Sequence, residues 1–342
     1  MVTDSTDAGE SVRHYNPAIG TYGAVITSDT TQAGAYALLG VDDSAHRVVL
    51  MHTLNQDSYQ LEVRNLSDGS LVGTPQAVQS SPGLVIGGRV DATRHQAWLL
   101  QWAGSDYHDE LLNVNVTTGA AGTPVEPDAA AKVTKRAYYD GIDIDASTGT
   151  VQLAHLADSS LCFGASANAV IGVNEATGAV AVSAGATPAC GTNFASAQDG
   201  SQAALLNYQS FSVNFLSHLT LNLIDEKTLA SANAGTLRQQ MAGALALDST
   251  HHLALIAYAS PQPLSVYGHP GGILTDSNSR GQIDVVDTTT GAVVKTLSSF
   301  EFTHGFGGPL SFTAEPDIQI DPKTRTGYTY GPGYSQIEQF RY

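Results

Sequence analysis

The residues of this sequence best suited to moving a proton or holding a borderline-soft metal are its histidines. His52 and His155 each close an apolar, strand-like run, while His108, His218, His269 and His304 stand in loop-like stretches. A neutral imidazole can bind Zn or Cu and can act as a general base near neutral pH. His155 and His52 are the candidate catalytic bases. A hydrogen-bonded histidine at a strand end or in a loop accounts for each position equally well. Aromatic residues recur in the same kinds of stretch: Trp102, Tyr107, Phe163, Phe211, Phe215, Tyr267, Phe302, Phe306 and Tyr334. Rings supply apolar area with few rotors, so Trp102, Tyr267 and Phe306, with His269 and His304, form the candidate ligand-binding set. The run His304-Gly305-Phe306-Gly307-Gly308-Pro309 reads as a Gly-rich rim. There is no Gly-x-Ser-x-Gly, His-Glu-x-x-His, Cys-x-x-Cys or phosphate-binding Gly loop. Asp143-x-Asp145-x-Ser147 has the opening spacing of a calcium loop but lacks its later Gly and acid.

The elements that must position these residues belong to a repeat. An apolar strand ending in Asp, a turn and a second apolar strand recur at Leu39–Asp42 into Val48–Met51, and again at Ile142–Asp145 into Val151–Leu153. Ala244–Asp248 runs into Leu253–Ile256, and Ile318–Asp321 into Gly327–Tyr330. Val90-Asp91 before Ala97–Leu100, and Gln198-Asp199-Gly200 before Ala203–Leu206, make six copies. A second half follows, an alternating strand and a Gly-containing turn. Its clearest example is Gln282-Ile283-Asp284-Val285-Val286-Asp287-Thr288-Thr289-Thr290-Gly291-Ala292-Val293-Val294. Period-2 alternation bounded by Gly turns marks half-buried antiparallel strands. Four-stranded sheets repeated along a chain protect their edges by radial closure, so the expected fold is all-β, a six-bladed β-propeller, with seven blades the alternative. The last copy ends at Tyr342, and the segment 21–26 is expected to supply its missing outer strand. One domain over 1–342 follows, with 1–9 as a disordered tail.

Strand direction sorts the connections. Those joining second to third strands, and fourth strands to the next blade, share one face, and the insertions 156–168, 261–280 and 298–315 fall there. Long loops on one face of a rigid scaffold are where binding usually resides. Cys162 and Cys190 both map to that face, so a disulfide is expected, and with it an oxidising compartment. His46, His95, His251 and His252 map to turns of the opposite face and are expected to be solvent-exposed.

Charge narrows the partners. With 15 basic against 32 acidic residues the net charge is −17, which argues against nucleic acid and anionic membrane. No apolar run reaches the roughly 20 residues of a membrane span. The polar start Met1–Asp7 reads as a chain beginning just after a removed leader. A secreted, extracellular or periplasmic monomer is expected.

The Ile283–Val294 copy resembles the YVTN-type propeller repeat, a resemblance that implies fold more than function. The strand starts Asp140-Gly141, Thr192-Asn193-Phe194 and Glu315-Pro316-Asp317 resemble those of calcium-dependent six-bladed gluconolactonase/phosphotriesterase-type propellers. That second resemblance implies Glu315, Asp140 and Asn193 as oxygen ligands of one Ca²⁺, with Zn or Cu the alternative at the histidines. This sequence departs from the pattern in lacking Gly after Glu315 and after Asn193. NAD, flavin and PQQ are not expected, since only Trp98 and Trp102 are present where quinone propellers repeat a Trp signature. Two readings remain. One is a binding propeller for a small molecule, glycan or extracellular protein. The other is a metal-dependent hydrolase or lactonase, with the ion polarising an ester, lactone or phosphoester and His155 or His52 as base.

Overall fold

The computed structural model describes residues 2–6, 9–16, 18–30, 35–55, 58–78, 85–103, 108–127, 137–157, 169–182, 190–196, 202–208, 211–212, 215–216, 219–225, 231–237, 242–258, 281–300, 317–330 and 337–342. Among these residues the elements are strands, apart from a 3₁₀ turn at Ser249–His251 and a helical residue at Pro127. Seven sheets of three or four strands follow in chain order. The first holds β1 (Val2–Thr6), β2 (Gly9–Asn16) and β3 (Thr21–Asp29), and the second β4 (Ala35–Asp42), β5 (Arg47–Asn55), β6 (Ser58–Asn65) and β7 (Gln76–Val78). The third holds β8 (Val85–Asp91), β9 (Gln96–Ala103) and β10 (His108–Asn115). The fourth holds β11 (Ala137–Asp145), β12 (Thr150–Ala157), β13 (Ala169–Asn174) and β14 (Val180–Val182). In the fifth, β15 (Cys190–Ser196), β16 (Gln202–Tyr208), β19 (Leu219–Asp225) and β20 (Ser231–Thr236) pair, while β17 (Phe211–Ser212) and β18 (Phe215–Leu216) form a hairpin of their own. The sixth holds β21 (Ala242–Asp248), β22 (Leu253–Tyr258), β23 (Gly281–Asp287) and β24 (Val293–Phe300), and the last β25 (Asp317–Asp321), β26 (Thr326–Tyr330) and β27 (Ile337–Arg341).

The six sequence copies are the second to seventh sheets; the first was not anticipated. Residues 21–26, expected as the outer strand of the last sheet, belong to the first. They lie in β3, which pairs with β2 from Glu10↔Asp29 to Asn16↔Thr21. Nor is 1–9 wholly a tail, because Val2–Thr6 pairs with β2 from Val2↔Arg13 to Thr6↔Gly9. The physical reason lies in burial. Val12 on β2 is fully buried and packs with Ile26, Tyr36, Val48 and Leu50. Val12 and Ile26 carry this sheet's sequence signal, too little for the repeat pattern to register.

The chain divides into two compact units. In the first, made of 1–137, 142–151 and 173–180, the sheets pack face to face. Val49, Leu61, Val63 and Val78 meet Ala97, Leu99, Val114 and Val116 in one apolar cluster. In the second, Leu255, Ile283 and Val285 meet Ile318, Phe340 and Tyr342. Each fully buried Val, Leu, Ile or Phe contributes about 1.5–3 kcal/mol. The first strands are bulged between Leu38/Gly40, Val85/Gly87, Gly191/Asn193 and Ala242/Ala244, so four copies share an irregularity near the strand start.

One end of each sheet is built from the repeated Asp. Asp42, Asp91, Asp145 and Asp248 close first strands and are at most 1% exposed. Each accepts the backbone N–H of a residue in its own turn: Ala45 at 2.9 Å, Thr93 at 2.7 Å, Ser147 at 2.8 Å and His251 at 3.1 Å. Asp143-x-Asp145-x-Ser147 is therefore a strand and its turn. Four residues after each Asp the chain turns left-handed, at His46, His95, Gly149 and His252, and at Arg325 after Asp321. The carbonyls of these left-handed residues accept the N–H of Leu66, Val116, Glu175, Thr288 and Tyr342 from the next turn. Those turns repeat too: the carbonyls of Asn65, Asn115, Asn174 and Asp287 accept the N–H of the Gly four residues on.

The four turn histidines are thus more than exposed side chains. His46, His95 and His252 hold left-handed backbone. His95 Nδ1 also lies 2.5 Å from Asp42 Oδ2, joining two sheets, and His251 Nδ1 lies 2.8 Å from Asp248 Oδ2. Burial alone would raise the Asp42 pKa; bonds from His95, Ala45 and Ser44 hold it below the usual carboxylate range. Tyr342 closes the last sheet, its hydroxyl donating to Asp248 at 2.9 Å and its ring under Arg325.

Gly291 tests this turn account. Its φ is +72°, and a Cβ there would run into the Ala234 carbonyl and the Gly235 backbone. Gly291→Ala is expected to cost at least about 1–2 kcal/mol. His252→Gly, which relieves a left-handed His, should leave the melting temperature within about 1 °C of the parent. Thermal melts of the two variants check the contrast, and an unchanged Gly291→Ala melt contradicts it.

Candidate functional site

His52 is the one sequence-predicted site residue whose side chain is described. It sits on β5 opposite Tyr36 of β4 and Gln60 of β6, and is 8% exposed. Its Nδ1 lies 2.8 Å from Glu62 Oε1 and its Nε2 lies 2.7 Å from Asp29 Oδ2 on β3. Arg64 Nε donates to the other Glu62 oxygen at 2.6 Å, and Gln60 Nε2 donates to Oε1 at 2.7 Å. The Tyr36 ring stacks on the imidazole at 4.3 Å, and its hydroxyl lies 3.3 Å from Thr27 Oγ1. Burial pushes the Tyr36 phenol above its ordinary pKa.

A general base needs a ring nitrogen with a free lone pair aimed at substrate. Here both nitrogens face carboxylate oxygens, so neither is open to a substrate. Arg64 meets Glu62 from the side away from the ring, so this buried carboxylate is held by three side chains. The arrangement suits a tie between the first and second sheets. Gln101 holds the position on β9 that His52 holds on β5, and it too is buried and bonded, donating to Glu110 at 2.8 Å.

The other predicted residues divide in two. His155 on β12, Trp102 on β9, Asp140 on β11, Asn193 and Cys190 on β15 have described backbone, but their side chains lie outside the described set. Tyr267, His269, His304, Phe306, Glu315 and Cys162 lie outside the described residues altogether. Among the described residues, no three His, Cys, Asp or Glu side chains group as metal ligands.

Sequence reasoning missed a cleft of about 430 Å³ in the first unit, lined by Arg94, Gln96, Asn113, Asn115, Glu175 and the short side chains of 120–122. Gln96 and Asn115 face each other across β9 and β10, and Asn113 lies two residues along on the same face. Arg94 donates from Nη1 to Asp91 Oδ2 at 2.8 Å and to the Ala146 carbonyl at 2.6 Å. Its guanidinium runs past Gly149, where a Cβ would stand 2.5 Å from Nε. Both carboxyl oxygens of Glu175 are buried, and neither has a partner at hydrogen-bond geometry among the described residues. Burial first, and the neighbouring Asp91 carboxylate second, push its pKa up to about 8. One signal of the cleft was legible: Asn113 is polar where the aligned turns place Val63, Leu223 and Val285.

No protein-family model matches the chain, and no curated protein matches it, so neither resemblance drawn from the repeats gains support there. Solved structures do match. The β-propeller domain of Myceliophthora thermophila Cps50 (Swd1) aligns with a TM-score of 0.59 at 9% identity, covering 97% of this chain and 90% of that one. The Dos1 propeller aligns with a TM-score of 0.55 at 13% identity, over 97% and 71%. An uncharacterized Listeria monocytogenes protein aligns with a TM-score of 0.53 at 8% identity, over 99% and 90%. Likeness at such identities speaks to architecture alone. The fold is a β-propeller.

Glu175 gives this region a pH signature. An unfolded Glu loses its proton near 4.5, whereas folded Glu175 holds it to about 8. Between those values the folded state binds the extra proton, so stability falls as pH rises through the window and levels off above it. Glu175→Gln should remove that slope. It should melt close to the parent at pH 5 and above it at pH 9; equal melting at pH 9 contradicts the assignment.

Proposed function

We propose that this chain is a secreted, seven-bladed binding propeller that recognises a small molecule, glycan or protein partner without catalysis. The observation that carries this reading is the state of His52, whose two ring nitrogens are already bonded to Asp29 and Glu62. The seventh sheet, β1 to β3, supports the blade number, since β4 neighbours β1 and β2 as it neighbours β8. The connections 158–168, 259–280 and 301–316 start and finish at strand ends that alternate in direction, as binding loops on a rigid scaffold do. The pairing of Cys162 with Cys190 belongs to the same proposal.

A second reading, a metal-dependent hydrolase with Ca held by Glu315, Asp140 and Asn193, draws on one observation. β15 is bulged between Gly191 and Asn193, and bulges re-aim side chains beside active sites. In that reading His155 rather than His52 is the better base.

Elemental mass spectrometry of protein purified without chelator separates the two, run beside Glu315→Ala and an ester, lactone and phosphodiester screen. The binding reading expects no stoichiometric metal in either protein and no turnover above a His155→Ala control. Stoichiometric Ca lost in Glu315→Ala, with turnover lost alongside it, overturns that reading.

A further inference from the structure

The cleft between β9, β10 and the turn at residues 174–178 holds hydrogen-bonding groups that the fold leaves unspent. Arg94 uses Nη1 on Asp91 and Ala146, which leaves Nε and Nη2 without an acceptor. Asn113 donates from Nδ2 to the Thr123 carbonyl at 2.9 Å and keeps Oδ1. Asn115 accepts at Oδ1 from the Thr118 N–H and hydroxyl and keeps Nδ2. Among the described residues Gln96 has no side-chain hydrogen-bond partner, and its amide lines the cleft. Donors and acceptors therefore alternate along one strand face, held by side chains whose other ends are fixed.

Charge in the cleft cancels. Arg94 is neutralised by Asp91, and the buried carboxyl of Glu175 is favoured in its uncharged form near neutral pH. A charged ligand would lose its water and find no free counter-charge. The edge of β10 is already taken. Leu111 bridges Val125, Val114 bridges Ala121, and the Gly122 N–H bonds the Asn113 carbonyl, so a peptide cannot enter by adding a strand there. What remains is an uncharged molecule carrying several groups that each donate and accept. Adjacent hydroxyls on a ring meet that description, and a volume of about 430 Å³ suits one or two sugar rings.

We propose that this cleft binds a neutral saccharide through Arg94, Gln96, Asn113 and Asn115. The proposal rests on the binding reading above and assigns it a site away from the long connections. With no aromatic ring among the lining side chains, affinity comes from hydrogen bonds, and a dissociation constant on the order of 1 mM is expected.

Saturation-transfer NMR with glucose, galactose, mannose, N-acetylglucosamine and cellobiose tests it, with glucuronate and glucosamine as charged controls. At least one neutral sugar should bind, and both charged analogues should bind more weakly. Asn113→Val and Gln96→Thr place at these positions the residues found in other copies of the repeat, so both should keep the parent's melting temperature. Each should weaken binding about fivefold or more. Three results overturn the proposal: no neutral sugar binds, a charged analogue binds best, or the variants bind sugar as the parent does. The last leaves the binding reading standing and moves its site elsewhere; turnover in the metal-dependent screen removes that reading independently.

Discussion

A carboxylate shut away from water at the end of a strand must be satisfied by its own turn, and this fold is organised around four of them. Asp42, Asp91, Asp145 and Asp248 are almost wholly buried, and an unpaired charge there would cost several kcal/mol. Each turn curls back so that its N–H groups reach the carboxylate. The residue that completes the curl is forced left-handed, and its carbonyl then points at the following turn and takes an N–H from it. One electrostatic requirement thereby sets a backbone conformation, a hairpin register and the spacing between two turns. The identical Asx-to-Gly closure of the second set of turns follows from the same docking.

With that end fixed, the strands carry apolar layers, and the polar exceptions stand out. His52 is one, enclosed with Asp29, Glu62 and Arg64 in one bonded cluster. Gln101 repeats the position, donating to Glu110. Asn113 and Gln96 are others, and Asn113 stands in the cleft where other copies place Val or Leu. Arg94 links the two themes: its own turn places it, Asp91 and Ala146 hold it, and the bare Cα of Gly149 leaves room for it.

The sequence made six of the sheets legible because an Asp-ended strand followed by an apolar strand is a dense pattern. It hid the first sheet, where Val12 on β2 and Ile26 on β3 bury without an Asp turn between their strands. His52 was legible as a notable residue, yet its role was not. Asp29 lies 23 residues away in a strand assigned elsewhere, and no local pattern announces a pairing of that kind. The turn reading of His95 missed its partner for the same reason, since Asp42 is 53 residues distant. Asn113 did break the apolar pattern of its repeat. The buried carboxyl of Glu175 did not, because a Glu in a turn ordinarily faces water.

Native-state hydrogen exchange read by mass spectrometry tests the turn network most directly. The amides of Leu66, Val116, Glu175 and Thr288 lie in turns, yet each donates to the left-handed carbonyl of a neighbouring turn. They are predicted to exchange as slowly as the central strands β5, β9 and β22. Exchange at the rate of ordinary exposed turns, with those strands still protected, would show that the turns do not hold the sheets in register and would contradict the account.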